Sequence, residues 1–302
     1  QYAGHNNTRG SENINIGKQS GFTNTTGNRN IYIGTNAGSS AGVNAADVIA
    51  IGYYAGQHNS ANSSIFIGKS AGKLNTTGPG NILIGPDAGL SMQESAYSIM
   101  IGRNAGRTHN SLAETGQNIY IGDNVAAQSI AGTRNIAIGA NAVANSEFIN
   151  SMITIGYNAG KNIGSRENGN TSNCIIIGYE AVSEGNINGR NIITGTQAGQ
   201  FVDNPITFSG NLLMGTETGK YANSAINSIA IGNAGRIGSG GETNILFGTA
   251  AGDNVGKPYD RQITTISTIT ANAISVNVNL SPRNAYFYFK DGDTILIRDP
   301  DN

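Results

Sequence analysis

One tripeptide pattern, Ile-x-Ile followed by Gly, returns fourteen times at nearly constant spacing, and this period limits the chain to very few folds. The glycines that mark it are Gly17, Gly34, Gly52, Gly68, Gly85, Gly102, Gly122, Gly139, Gly156, Gly178, Gly195, Gly215, Gly232 and Gly248. The commonest step between them is 17 residues, with longer steps of 20, 22 and 20 residues at three places. A catalytic loop is needed once per chain. A feature needed at every step is architecture, and a fixed period of this length is the signature of stacked repeats.

Each repeat reads as one short strand. The first Ile position is Ile in thirteen copies, with Leu212 the exception; the second is Ile in eleven, with Thr194, Met214 and Phe247 as exceptions. Residues two apart leave a strand on the same side, and β-branched side chains suit a pleated, packed surface. The residue between them faces the other way and drifts in size, but only Asn15 and Thr154 are clearly polar there. A half-exposed strand would carry polar residues on its wet face, so both faces are expected to be covered.

The uniform isoleucines are therefore expected to form the coil core: Ile14, Ile16, Ile31, Ile33, Ile49, Ile51, Ile65, Ile67, Ile82, Ile84, Ile99, Ile101, Ile119, Ile121, Ile136 and Ile138. The variable residues Tyr32, Phe66, Leu83, Met100, Tyr120, Ile176, Ile193, Leu213 and Leu246 are expected to form an interchain face. Gly17, Gly34, Gly52, Gly68, Gly85 and Gly102 supply the turn after each strand, where a tight bend or positive φ is wanted. Ala three residues further on (Ala37, Ala55, Ala71, Ala88, Ala105) suits a crowded inner corner, and a second Gly usually follows it. Asn or Ser precedes the strand in eleven copies; it either bonds to copies of itself above and below or serves as a turn residue.

Equal steps with one strand apiece predict an all-β, parallel β-solenoid of about fourteen 17-residue coils, with Ile lying over Ile. At about 4.8 Å per coil the rod would be on the order of 65 Å long. The chain divides into a lead-in over 1–12, the solenoid over 13–256 and a C-terminal module over 257–302. Insertions at about 107–117, 161–173 and 200–210 should bulge outward as loops. A single thin coil looks short of apolar burial against its ordering entropy, which favours a homo-oligomer whose variable faces meet on a shared axis.

The repeats also carry a resemblance. "NIAIGANAVA" (135–144) and "SIAIGNAGRIG" (228–238) resemble repeats in the heads of trimeric autotransporter adhesins. "NILIGPDAG" and "ITIGYNAGKN" resemble repeats in bacteriophage tail fibres. The resemblance covers about residues 11–252; family members with the adhesin repeat form a trimeric, left-handed parallel β-roll, which implies three chains here. The adhesin repeat is nearer fourteen residues than seventeen; longer outer turns can absorb the excess, leaving strand number per coil and handedness open.

After residue 256 the period stops. Alternation in "AISVNVNL" and "TILIR", with the Asp-Gly turn at 291–292, predicts a small antiparallel β module. It would cap the exposed strand edges of a solenoid end. Its aromatic run Tyr286, Phe287, Tyr288 and Phe289 suits core or interchain packing, with a glycan-stacking platform as the alternative.

Composition and motifs exclude more than they suggest. Charged residues are 12% of the chain and the net charge is −1, which leaves no basic surface for nucleic acid or anionic lipid. No apolar run approaches the ~20 residues of a membrane-spanning helix. The chain starts at Gln1 and reads as a processed product or a piece of something longer. "GKS" at 68–70 lacks the glycine a phosphate-binding loop needs five residues earlier, where Ser63 stands. His5, His58 and His109 have no metal-ligand spacing with one another or with Cys174, the only cysteine. No cofactor or metal is called for. Asp87, Asp123, Glu180, Glu94, Glu114 and Glu167 are scattered singletons that read as solvated loop charges rather than a glycosidase pair.

The expected role is a structural fibre segment of a phage tail fibre or surface adhesin, extracellular on a virion or cell. It would be a homotrimer joined end to end to further fibre or baseplate-type proteins, with a host surface glycan as candidate ligand. A self-assembling extracellular filament is the first alternative, and a polysaccharide depolymerase the second.

Overall fold

The computed structural model describes residues 1–109, 116–129, 132–146, 149–163, 171–184, 187–201, 208–220, 225–233, 241–242 and 245–248. The expected module at 257–302 lies outside them, with most of the three expected outward loops. Within them the chain is an all-β parallel solenoid. Fourteen three-residue strands, from Ile14–Ile16 to Ile245–Phe247, form one sheet in strict chain order. Pairing is parallel and in register throughout: Ile31 lies against Ile49, Tyr32 against Ala50 and Ile33 against Ile51, and the same holds coil after coil. Two shorter parallel sheets accompany it: one pairs Ile149–Asn150 with Thr171–Ser172, the other Phe208–Ser209 with Ala225–Ile226 and then Gly241–Glu242.

Three positions of the repeat explain why the coils stack. Before the strand, the Asn carboxamide bridges two coils. Its Oδ1 accepts the backbone N–H of the matching residue in the next coil, as from Val48 to Asn30, Asn135 to Asn118 and Ser228 to Asn211, each at 3.0 Å. Its Nδ2 donates to a carbonyl fourteen or fifteen residues ahead, as Asn30 does to Ala45 and Asn135 to Ile149. In some coils it also bonds the stacked Asn itself: Asn135 to Asn118 and Asn211 to Asn191, both at 3.0 Å. The expectation that this residue bonds the coils above and below therefore holds. Ser64 and Ser98 accept through the hydroxyl, and the Cys174 thiol sulfur accepts the Asn191 N–H at 3.4 Å in the same role.

After the strand, the glycines take φ between +124° and +136° in the first six coils, a region closed to residues with a Cβ. They also stack backbone on backbone: a Cβ on Gly85 would lie 2.5 Å from the Gly102 carbonyl oxygen. Beyond them, Ala37, Ala55, Ala71, Ala88 and Ala105 are fully buried at the inner corner.

The inside and outside of the coil are the reverse of the expected assignment. Tyr32, Phe66, Leu83, Met100, Tyr120, Ile176, Ile193, Leu213 and Leu246, expected at an interchain face, have no exposed surface and form the coil interior. The isoleucines expected there point outward: Ile14 and Ile16 are about half exposed, and the partners from Ile31, Ile33, Ile49, Ile51, Ile65, Ile67, Ile82, Ile84, Ile99, Ile101, Ile119, Ile121, Ile136 and Ile138 onward are partly exposed. The physical reason is volume sharing. Inside the coil a large side chain can be offset by a small neighbour, so identity drifts there. A Cβ on Gly38 would sit 2.5 Å from the Tyr32 ring, and one on Gly72 2.3 Å from the Phe66 ring. Phe66 also reaches Gly56, beside Ala50 of the preceding coil. Where the strand carries Ala137, the corresponding corner holds Val143 instead of glycine, and both are buried.

Candidate interaction surface

The outward isoleucines make a stripe two side chains wide and fourteen coils long. It is flanked on both sides by columns of exposed, mostly polar side chains. On one side, two residues before the first Ile, stand Arg29, Asp47, Gln117 and Arg134, all exposed. Arg29 meets Asp47 of the next coil through two hydrogen bonds, Nε to Oδ1 at 2.6 Å and Nη2 to Oδ2 at 2.9 Å. On the other side, just after the turn glycine, Arg103 pairs with Asp123 in the same two-pronged way. Each guanidinium holds its partner carboxyl below the ordinary carboxylate range, chiefly by hydrogen bonding. Both pairs lie in solvent, where such contacts align side chains more than they stabilise.

The column after that glycine also exposes aromatic rings. Tyr157 and Tyr179 stack face to face in successive coils, centroids 5.4 Å apart. Tyr53 meets Tyr54 edge-on, and the Lys73 ammonium lies 4.7 Å from the Tyr54 ring centre. One residue further, Asn36, Asn104, Asn124, Asn141 and Asn158 adopt left-handed φ between +52° and +60°, which Asn tolerates better than most residues. Their amides bond along the rod, Asn104 to Asn124 at 2.8 Å and Asn141 to Asn158 at 3.1 Å. Glu180 stands in this column and accepts from Gln197 at 2.8 Å and Gln200 at 3.2 Å; the Gln197 bond leads in holding its carboxyl low. This second amide ladder escaped the sequence reading. The recurrence of Asn two residues after the glycine was its signal.

The remaining candidate residues are not brought together. Asp123 and Glu180 are held in inter-coil bonds on different coils, and Glu114 and Glu167 lie outside the described residues. Among the described residues no group of three His, Cys, Asp or Glu could hold a metal ion, and no helix is long and apolar enough to cross a membrane. His109 is wholly buried, its Nε2 3.1 Å from Asn118 Nδ2, and burial pushes its pKa down to about 4. Burial likewise raises the Tyr32 and Tyr120 hydroxyls and the Cys174 thiol. The aromatic run at 286–289 lies outside the described residues.

Comparison of the chain with protein families, curated proteins and solved structures gives no match.

Proposed function

We propose that this chain is a structural segment of an extracellular fibre, of the kind found in phage tail fibres and surface adhesins. It acts as a rigid homotrimeric rod that spaces and presents host-attachment loops, with a surface glycan as the candidate ligand. The observation that supports this reading most is the unbroken, in-register ladder of fourteen strands. Each coil hydrogen-bonds the next through strand, turn and Asn side chain, so bending the rod means breaking several bonds in parallel. Among the described residues, the columns of polar and aromatic side chains beside the isoleucine stripe repeat from coil to coil, which suits presentation along a rod.

Sedimentation and electron microscopy of the purified chain test the proposal. Discrete rods of three-chain mass, with a straight solenoid on the order of 65 Å, are expected. Monomers, or filaments that lengthen with concentration, would overturn it.

A further inference from the structure

We infer that the outward isoleucine stripe is the seam along which copies of this chain associate, side by side, parallel and in register. The inference rests on the oligomeric rod proposed above and names the surface that holds it together.

Three observations carry it. First, outward positions in water should be polar and variable, yet these are Ile in nearly every coil while the inward positions drift. Interior packing does not demand that uniformity, since the side chains concerned are the partly exposed ones. Second, the size is right. Thirteen strand spacings of about 4.8 Å by two side chains abreast, about 10 Å, give an apolar strip of roughly 600 Å². That is at the top of the range for the largest patch on a lone protein. With its flanking polar columns it approaches the ~800 Å² each partner gives to a standard interface. Third, an apolar centre between polar rims is interface anatomy.

Orientation follows from the one polar intrusion. Thr194 stands in the stripe at the eleventh rung. In a parallel, in-register pairing its hydroxyl meets the same hydroxyl of the next copy. In a full-length antiparallel pairing the eleventh rung would face the fourth, and Thr194 would be pressed against isoleucines such as Ile67 with no polar partner.

The test uses the full chain with Cys174→Ser as background, carrying Ile33→Cys, Ile84→Cys or, as an exposed control outside the stripe, Arg107→Cys. Circular dichroism confirms folding, sedimentation gives mass, and a short bismaleimide reports proximity. The expected result is an oligomer in which Ile33→Cys and Ile84→Cys each cross-link to themselves at least ten times more than Arg107→Cys does. Ile84→Asp should shift the chain to monomer while keeping its β-sheet spectrum. An oligomer that cross-links through Arg107→Cys but not the stripe overturns the seam and leaves the fibre reading standing. In a mixture of Ile33→Cys and Ile229→Cys chains, which a full-length antiparallel pairing would bring together, links between the two variants with no self-links in either overturn the parallel arrangement. A monomer at micromolar concentration overturns both the seam and the trimeric rod.

Discussion

Replacing Gly85 by alanine isolates the interaction that spaces one coil from the next. Gly85 has φ +129°, and a Cβ there would lie 2.5 Å from the Gly102 oxygen and 2.7 Å from its carbonyl carbon. Those atoms are backbone and cannot swing aside. The forbidden dihedral alone costs about 1–3 kcal/mol. Relieving the contact means moving two coils apart by nearly 1 Å, beside a Gly102 N–H to Ile84 O bond of 2.7 Å, and losing that bond adds about 1 kcal/mol. A total of about 2–4 kcal/mol is expected. Gly199→Ala is the control: φ is +59°, and its Cβ would meet only side-chain atoms at 3.4 Å and beyond, so about 1–2 kcal/mol is expected. Because a solenoid can open locally, native-state hydrogen exchange is the better assay. Gly85→Ala should lower protection of the Gly102 amide by about 10-fold more than Gly199→Ala lowers protection around its own coil. Equal losses in the two variants would refute the claim that backbone contact between glycines sets the coil spacing.

Other expectations follow from the same structure. Leu83→Asp should unfold its coils rather than merely separate subunits, with loss of β-sheet signal; a folded monomer would contradict its place in the interior. Phe66→Ala should cost about 3–5 kcal/mol in chemical denaturation, because the ring fills space left open by Gly56 and Gly72; a change below 1 kcal/mol would mean the interior is loosely packed there. Asn135→Ala deprives the Met152 N–H and the Ile149 carbonyl of their partner, for about 2–6 kcal/mol at two orphaned buried groups. His109 is favoured neutral in the folded chain and gains a proton more readily when unfolded, so its contribution is complete above about pH 6.5 and declines as pH falls toward about 4. Stability at pH 5 should be about 2 kcal/mol below that at pH 7, and His109→Gln should flatten that slope; an unchanged slope would assign it to other groups.

Which face of the strand turns inward could not be read from the alternation. Period-two patterning establishes that Ile31 and Ile33 share one side and that Tyr32 takes the other, but it is symmetric with respect to inside and outside. A clue was present in Asn30. It lies on the same side as Tyr32, and a recurring carboxamide that bonds backbone groups of two coils belongs inside. The exchange of Gly for Val143 opposite Ala137 was a second clue, since compensating volumes mark residues that touch.

What the amino-acid order determined alone is the period, the short strand in each repeat, the glycine turn and the stacking of like on like. These are local or translational properties, repeated until only a parallel solenoid satisfies them all. The tertiary structure decided which side chains the coil encloses, because that depends on how seventeen residues close into a ring around a shared volume. A large ring beside a glycine fills that volume as well as a leucine does, whereas the isoleucines outside have no such latitude if a neighbouring copy must fit them at every rung.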